Sequence, residues 1–436
     1  MYKLVKNTAE TKIVKVNGKD VEIPVDWISS KISTIFRVQG GSTPDTKNPI
    51  FWDNGNIPWI SPQSMTYDKK YIACGERFIS IEAKKKMINK IIPKNSLIIS
   101  TRAPIGYLQI SQNDLFTNQG CHSLINDNFD IINFIYYNQK HNIRTLEKNA
   151  SGTTFKELSK QNLLNIEYIH PLKLSEQEEI ADFLSHIENT IFKTEELIAS
   201  MEKRLRYYIR ELTSGRLRIQ KDEEQINLVE NEHFKTVQVN GKDMEIPVDW
   251  DVKKINELCN FINGSAFNNK TWTDSGYKIV RIQNLNGSNE YNHYDGDVSD
   301  HVIINNNDII FSWSGTIDIY RWKLIGDYVL NQHIFKVTNT DKLALDYVYY
   351  ALQSILLKIK KLSHGSTMKH ITKQNLYSID VIYPPNLFEQ EDIGNLLLKE
   401  EEDIEKMKKI LEMQKKRFKW AMSALLSGRY TLEKVE

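Results

Sequence analysis

The chain has 436 residues, which is enough for two or three domains that each bury their own core. Its formal net charge of +1 lacks the basic excess of a protein that binds DNA alone, so any nucleic-acid contact must rely on local patches or on partners. Its 3 widely spaced cysteines exclude a disulfide framework and a cysteine-rich zinc site. No apolar run is long enough to span a membrane and no apolar signal region opens the sequence, so we expect a cytoplasmic protein.

Several stretches of the sequence occur twice. Val16–Trp27 recurs as Val239–Trp250, with identical residues at eleven of twelve positions. Gly152–Leu163 recurs as Gly365–Leu376, at a slightly shorter separation along the chain. A period above about 200 residues is too long for a solenoid repeat and indicates two duplicated domains.

Residues 1–172 are predicted to form the first globular domain, a mixed α/β domain with short β-prone segments. Ile98–Gly106 reads as a strand, a tight polar turn and a second strand. Hydroxyl and backbone N–H groups in such a turn can bind a phosphate, and Arg102 adds positive charge. A hairpin turn without a ligand is the alternative.

Residues 173–216 are predicted to form a long helix. Its apolar or small residues recur at alternating spacings of four and three, a heptad pattern held for more than four repeats. These positions are Ile180, Leu184, Ile187, Ile191, Thr194, Ile198, Met201, Leu205, Tyr208 and Leu212. Ser175 and Glu178 have the spacing of a capping box, and Gly215 stands where the helix is expected to stop.

A charged segment, residues 217–236, is predicted to be an exposed linker before the second globular domain, residues 237–387. Ile309–Thr316 repeats the strand, turn and strand of the first domain. Both domains also carry a polar glycine turn followed by a lysine. The turn residues that we select as candidates are Thr153 and Lys156 in the first domain and Thr367 and Lys369 in the second.

Residues 388–428 are predicted to form a second long helix, before a tail at 429–436. Its positions that match the first stripe are Ile393, Leu397, Glu400, Ile404, Met407, Leu411, Gln414, Phe418, Ala421 and Leu425. Because the stripes match, we expect an intramolecular coiled coil, and a pseudo-two-fold arrangement of the halves makes it antiparallel. The alternative is that each helix packs only on its own globular domain. The predicted fold class is therefore α+β, with two similar mixed α/β domains separated by two long helices.

The halves differ most after the equivalent glutamines Gln63 and Gln283. The first half continues with the basic segment Ser64–Met87, and the second continues with the shorter, amide-rich segment Asn284–His301. Two copies of one scaffold with different polar and aromatic segments are what two different base-reading surfaces require. The alternative is that these segments are surface loops that have drifted.

Sequence motifs for catalysis are absent. There is no GxxxxGK[ST], GxGxxG, HExxH or GxSxG pattern. Pro44-Asp45 followed by Glu82-Ala83-Lys84 superficially matches a nuclease signature. The second of these segments reads better as a solvated helix, and the other half has no counterpart. We therefore expect no catalytic residue and no metal ligand in this chain.

The chain resembles the specificity subunit of type I restriction–modification systems over essentially its whole length. The resemblance rests on duplicated motifs that open the domains, open the long helices and close them. These motifs are Ile23–Trp27 and Ile246–Trp250, Leu174–Ile180 and Phe388–Ile393, and Leu212–Arg216 and Leu426–Arg429. The resemblance implies two target-recognition domains that each read one half of a split DNA sequence.

The same resemblance implies that the long helices space these domains and dock methyltransferase subunits, two of them, with restriction or motor subunits in the full complex. It implies no cofactor in this chain, because the partners bind S-adenosylmethionine, ATP and Mg²⁺. Two domains that address one groove on nearby turns place the half-site centres roughly 10 bp apart. The alternatives are a nuclease or methyltransferase with an unrecognised site, and a coiled-coil adaptor that does not bind DNA.

The candidate DNA-binding residues are polar or basic side chains and glycines in the repeated turns and beside the divergent segments. They are Gln63, Ser100, Thr101, Arg102, Gly106, Thr153, Lys156, Arg281, Gln283, Ser312, Ser314, Gly315, Thr367 and Lys369. The candidate spacer and docking residues are the large apolar members of the two stripes.

Overall fold

A computed structural model describes residues 2–152, 156–222, 225–339, 343–361 and 370–434. The chain divides into two compact units. The first unit contains Met1–Glu195 and Ile410–Glu436, and the second contains Glu196–Lys409. Each unit therefore holds one globular region together with part of each long helix.

The globular region of the first unit is built from short strands and five helices. Its strands are β1 (Tyr2–Lys6), β2 (Thr11–Val16), β3 (Lys19–Pro24), β4 (Trp27–Lys31), β5 (Arg37–Gly40), β6 (Ile57–Ile60), β7 (Tyr71–Ile72), β8 (Arg77–Ile79), β9 (Leu97–Ser100), β10 (Leu108–Ser111), β11 (Phe116–Thr117), β12 (Cys121–Ile125) and β13 (Glu167–Pro171). Its helices are α1 (Ile32–Ile35), α2 (Ile81–Lys86), α3 (Phe129–His141), α4 (Ile143–Lys148) and α5 (Lys160–Asn165).

A five-stranded sheet in the order β5-β12-β9-β10-β7 forms the centre of this region, and a smaller sheet in the order β11-β6-β8 lies in the same unit. Every residue of β9, β10 and β12 is buried, as expected for strands covered on both faces. Leu97 and Ile99 share one apolar cluster with α3, whereas Ile98 belongs to a different cluster, because successive side chains point to opposite faces.

The second unit repeats this plan after the long helix α6 (Leu174–Thr213). Its strands are β14 (Leu217–Asp222), β15 (Gln225–Glu230), β16 (Phe234–Val239), β17 (Lys242–Pro247), β18 (Asp251–Lys254), β19 (Cys259–Asn263), β20 (Tyr277–Val280), β21 (Asn292–Tyr294), β22 (Ile303–Ile304), β23 (Ile309–Ser312), β24 (Asp318–Arg321), β25 (Tyr328–Leu330), β26 (Ile334–Asn339) and β27 (Asp380–Tyr383). Its helices are α7 (Ile255–Leu258), α8 (Ile282–Leu285), α9 (Leu345–Lys361), α10 (Lys373–Tyr377) and the start of α11 (Leu387–Leu425). The central sheet has the order β19-β26-β23-β24 and the smaller sheet β21-β20-β25-β22.

The predicted α+β fold with two long helices is confirmed, and within each unit the helices run antiparallel. In the first unit Glu195 of α6 forms an ion pair with Lys415 of α11 at 2.6 Å. In the second unit Glu202 pairs with Lys408 at 3.0 Å and Arg204 with Glu400 at 2.7 Å, so the partner number falls as the residue number rises. Glu400 is a polar residue in an otherwise largely apolar stripe, and its carboxylate has a physical reason because it binds an arginine of the facing helix.

The apolar stripes of both helices face inwards, so their predicted role in docking partners is wrong for the buried members. Ile180, Leu184 and Ile191 join the core of the first unit, and Ile393 and Leu397 join the core of the second. A side chain buried within its own unit has no surface to offer a partner. The stripes instead hold the helices and the globular regions together.

The repeated motifs at the helix ends form the same contacts in both units. Gly428 has a φ of +71°, and a Cβ atom there would lie 2.6 Å from Pro24 and 3.4 Å from Trp27. Gly215 has a φ of +69°, and a Cβ atom there would lie 2.3 Å from Pro247. Glycine is required because the chain turns in a left-handed conformation against the start of the globular region.

The predicted capping box at Ser175 is wrong, because α6 begins one residue earlier and Ser175 lies inside its first turn. The buried side chain of Gln177 instead donates to the carbonyl oxygen of Pro171 at 2.9 Å. Its equivalent Gln390 donates to Pro384 at 2.8 Å. The repeated Glu-Gln-Glu sequence therefore ties the start of each helix to the strand before it.

The prediction of an exposed linker at residues 217–236 is also wrong. β14 and β15 form an antiparallel hairpin, and Leu217 is buried while Ile219 and Leu228 pack against the core of the second unit. In the first unit β28 (Tyr430–Lys434) pairs with β1 in the same antiparallel manner. β1 and β28 thus form a strand pair equivalent to that of β14 and β15.

Candidate nucleic-acid interface

Three loops of the first unit meet beside the central sheet. They follow β5, connect β9 to β10, and precede β12. The N–H of Ser42 donates to Thr117 O at 2.7 Å, and the N–H of Thr101 donates to Gly120 O at 2.7 Å. The side chain of Thr43 donates to that of Gln119. These bonds join the three loops into one polar surface.

The second unit assembles the same three loops. The N–H of Ser265 donates to Leu330 O at 2.9 Å, and the N–H of Trp313 donates to His333 O at 3.3 Å. A Cβ atom on Gly264 would stand 2.3 Å from the carbonyl oxygens of Leu330 and Asn331. A Cβ atom on Gly41, its equivalent, would stand 2.1 Å from Asn118 O. Only glycine allows the backbones to approach this closely.

The predicted strand–turn–strand segments are confirmed, but the predicted role of their first hydroxyls is wrong. Ser100 and Ser312 are fully buried. The Oγ of Ser100 donates to Pro104 O at 2.8 Å and accepts from the N–H of Tyr107 at 2.8 Å. The Oγ of Ser312 donates to Ser314 O at 3.3 Å. These hydroxyls form hydrogen bonds within their own turns, so they are not available to a phosphate.

Other predicted residues near these turns differ in exposure. Thr101 and Ser314 are buried, whereas Arg102 and Lys156 are exposed. Arg102 forms an ion pair with Glu157 at 2.9 Å, and the pair lies at a cavity of about 860 Å³ that Lys156 also lines. The cavity thus presents two cations beside two carboxylates, those of Glu147 and Glu157. An exposed pair of this kind contributes little to stability, so Arg102 can exchange Glu157 for a phosphate at small energetic cost.

Gly106 and Gly315 both adopt positive φ angles, +92° and +67°, which fits their predicted places in tight turns. Gln63 and Gln283 are exposed and follow the equivalent strands β6 and β20. Arg281 occupies the N-cap position of α8, and its Nη1 donates to Asn292 Oδ1 at 3.0 Å. The remaining predicted residues lie outside the described part of the chain. They are Thr153, Thr367 and Lys369.

The candidate DNA-binding residues predicted from the sequence include none from the loops after β5 and β19. These loops contribute as much to the surface as the predicted turns. Their signal is a Gly-Ser pair, Gly41-Ser42 and Gly264-Ser265, at the same separation along the chain as the repeated domain starts. Gln119 and Gln332 are visible as a repeated Asn-Gln pair. Each of these repeats is only two residues long. Only the hydrogen bonds between the loops show that these residues belong to one surface.

Nothing in the described residues resembles a metal centre, since no group of three or more His, Cys, Asp or Glu side chains stands together. The nuclease-like Glu82 lies on α2, as the solvated-helix interpretation predicts, and pairs with Lys85 at 2.9 Å on the surface. Burial lowers the pKa of His122, so this imidazole is neutral at pH 7. Burial also raises the pKa of Cys121 to about 12, which keeps its thiol protonated. Within the part of the chain that the structure describes, no helix has the length and apolar character needed to cross a membrane.

Comparisons with known proteins agree with these features. The family model described as the type I restriction modification DNA specificity domain matches residues 24–203 and 247–415. The MjaIX specificity subunit of a Methanocaldococcus jannaschii type I restriction enzyme is 29% identical over 385 residues, which cover 84% of this chain and 84% of the relative. The MjaVIII specificity subunit of the same organism is 23% identical over 432 residues, with 94% of each chain covered.

A solved structure of an S subunit of a type I restriction–modification system from M. genitalium superimposes with a TM-score of 0.58. Its sequence identity is 15%, and the match covers 97% of this chain and 99% of that chain. At this identity the likeness supports the fold alone.

Proposed function

Because the chain belongs to the family of type I restriction–modification DNA specificity subunits, we propose that each unit reads one half of a bipartite DNA target. The observation that carries this proposal is the three-loop surface, which recurs in both units on equivalent strands. Its exposed residues differ between the units, as in Arg102-Ala103-Pro104 of the first turn and Gly315-Thr316 of the second. One scaffold therefore presents two different sets of donors and acceptors, which is what reading two different half-sites needs.

The long helices set the distance between the half-sites, and their exposed faces dock methyltransferase subunits, two per chain. Large apolar side chains remain exposed on both helices, such as Phe192 (45% exposed) and Trp420 (50%) in the first unit and Leu197 (48%) and Tyr207 (45%) in the second. Aromatic and large apolar residues on a helix surface are typical of protein–protein interfaces. These residues replace the buried stripes as the proposed docking surface.

In this proposal the chain is not an enzyme and binds no cofactor itself. Methyltransferase subunits bind S-adenosylmethionine, and restriction subunits, where the system has them, use ATP and Mg²⁺. The net charge of +1 supports this division of labour, because partners that surround the DNA can supply the missing positive charge.

The test is methylation mapping with the chain and its methyltransferase subunits expressed together in a host that lacks other methyltransferases. We expect one bipartite motif. Replacing Gly264–Ala266 and Ser312–Gly315 by the equivalent loop residues of the first unit should change one half of the motif and leave the other intact. A motif that is not bipartite, or one that the replacement leaves unaltered, contradicts the proposal.

Two controls address the other functions. The purified chain alone is incubated with DNA and Mg²⁺ or S-adenosylmethionine, and turnover in this reaction contradicts the non-catalytic assignment. The assembled complex is titrated with target and scrambled DNA at several salt concentrations. Equal affinity for both sequences at every salt concentration favours an adaptor that does not read DNA.

A further inference from the structure

An arginine of the first unit lies flat on a tryptophan beside the three-loop surface. The guanidinium carbon of Arg77, on β8, is 3.7 Å from the ring centroid of Trp52 and 5.6 Å from that of Trp59. The two indole rings meet edge to face, with centroids 5.3 Å apart and planes at 90°. The cation therefore rests on a rigid aromatic corner rather than moving freely in solvent.

The aromatic corner is attached to the loop after β5. The Nε1 of Trp52 donates to Asp45 O at 3.0 Å, and that of Trp59 donates to Ser42 O at 3.0 Å. Ser42 belongs to the three-loop surface, so Arg77 is held next to it. The side chain of Arg77 is exposed and neither donates a hydrogen bond nor forms an ion pair to any residue that the structure describes. Its N–H groups are thus free for a ligand while its position is fixed.

The second unit also places an arginine within cation–π distance of a tryptophan. The guanidinium carbon of Arg281 is 5.3 Å from the ring of Trp272, and Trp272 lies in the loop after β19, as Trp52 lies in the loop after β5. Asn292, which accepts a hydrogen bond from Arg281, occupies the register position of Arg77. Both residues stand opposite the third residue of the equivalent strands β6 and β20.

Both units therefore place an arginine beside a tryptophan at the smaller sheet, although the arginines come from different positions in the sequence. A planar guanidinium with parallel N–H groups matches the O6 and N7 acceptors of guanine in the major groove. Stacking removes conformational freedom before binding, so less entropy is lost when the bidentate pair forms. A lysine in the same place keeps the charge but cannot form the planar pair.

We propose that Arg77 and Arg281 are specificity-determining residues, each of which reads a guanine in one half of the DNA target. The inference rests on the proposed function. It adds the residue in each unit and the base that this residue selects. Trp52 and Trp272 act as positioning residues, because they orient the arginines and do not themselves contact the base.

The experiment uses the complex of the full chain with its methyltransferase subunits and a DNA library randomised over both half-sites. Methylated molecules are sequenced, and the preference at each position is compared between the native chain and the variants Arg77→Lys and Arg281→Lys. We expect Arg77→Lys to lower the preference for guanine at one position of one half-site by about 5- to 150-fold. Arg281→Lys should have the same effect at one position of the other half-site.

Two further variants separate base reading from other effects. Trp52→Leu retains Arg77 but removes its platform, and it should weaken the preference at the position that Arg77→Lys affects. Lys19→Met removes an exposed cation of β3, outside the divergent segment Ser64–Met87, and serves as the matched control, for which no base preference should change. Thermal unfolding of each variant shows whether the fold is intact.

Three results would overturn the inference. Unchanged base preferences in folded Arg77→Lys and Arg281→Lys overturn the inference, and so does an equal loss on all sequences, which marks a phosphate contact. Effects of both variants in the same half-site also overturn it. If the native complex shows no bipartite preference, the proposed function fails before the arginines are tested.

Discussion

Glu188 of helix α6 is the anion of a buried network that holds the first globular region to the helix, and its replacement by glutamine tests how much that network contributes. The carboxylate forms an ion pair with Lys140 at 2.5 Å, and it accepts from the hydroxyls of Tyr137 at 2.8 Å and Tyr136 at 3.4 Å. Lys70 lies 3.0 Å from the Tyr137 hydroxyl and adds a second buried cation. Glu188→Gln keeps the shape but removes the negative charge that both lysines face.

The solvent exposure of the Lys140–Glu188 ion pair determines how much stability Glu188→Gln is expected to lose. The side chains of Lys140 and Glu188 are 13% and 16% exposed, so water screens the remaining charges weakly. Breaking a buried pair from one side destabilises a protein by about 3–5 kcal/mol, and we expect about 3 kcal/mol because the site is not fully dry. Glu195→Gln is the matched control on the same helix. In its ion pair the side chain of Lys415 is 54% exposed and that of Glu195 is 39% exposed. We therefore expect this variant to lose only about 0–1 kcal/mol of stability.

Native-state hydrogen exchange measures the effect locally, because the two units need not unfold together. A loss of about 3 kcal/mol accelerates exchange of the α3 amides on the order of 100-fold, since about 1.4 kcal/mol corresponds to a factor of ten. The double variant Glu188→Gln with Lys140→Gln should recover part of this loss. If Glu188→Gln accelerates exchange no more than Glu195→Gln, the network does not carry the charge balance that we assign to it.

Three other parts of the fold allow similar tests. Burial lowers the pKa of Lys70 from 10.5 to about 8, so the unfolded chain binds more protons between these values. The free energy of unfolding should therefore rise with pH across this window in the native chain relative to Lys70→Met, and denaturant titrations of both proteins at pH 7.5 and roughly pH 9.5 measure the difference. Gly41→Ala places a Cβ atom 2.1 Å from Asn118 O and should destabilise the first unit by about 3 kcal/mol or more in thermal unfolding; Gly18→Ala, with open space at a φ of +79°, should lose about 1 kcal/mol. Because β1 pairs with β28 as β14 pairs with β15, a circular permutant that joins the termini and opens the β14–β15 hairpin should keep the circular dichroism spectrum and the DNA target of the native chain; an unfolded permutant contradicts the equivalence of the two strand pairs.

The long helices and the duplication could be predicted from the sequence because their signals are local and periodic. A heptad stripe and a terminal glycine such as Gly215 depend on spacing along one chain, and spacing survives whatever the rest of the fold does. The sequence does not predict the hairpin of β14 and β15, although Leu217 and Ile219 alternate with polar residues. The charged residues between its strands resemble a solvated linker, and only the core of the second unit shows where the apolar face goes.

The sequence also shows repeats whose meaning depends on the tertiary structure. Tyr136-Tyr137 in the first half recurs as Tyr349-Tyr350 in the second. In the structure each pair lies beside a cation, and the two cations come from different positions in the two halves. Lys70 is 4.5 Å from the ring of Tyr137, and Arg321 is 4.6 Å from that of Tyr349. Equivalent surroundings are therefore reached from non-equivalent positions.

By itself the sequence determined that this protein has two equivalent domains, two paired helices and a divergent segment in each half, since these are properties of periodicity and internal identity. Only the tertiary structure decided which polar side chains face solvent. Ser100 and Arg77 are both polar residues at the ends of short strands, but Ser100 is buried in its own turn and Arg77 lies on Trp52 with its donors exposed. The direction of a side chain depends on residues far away in the chain, and no local pattern contains that information.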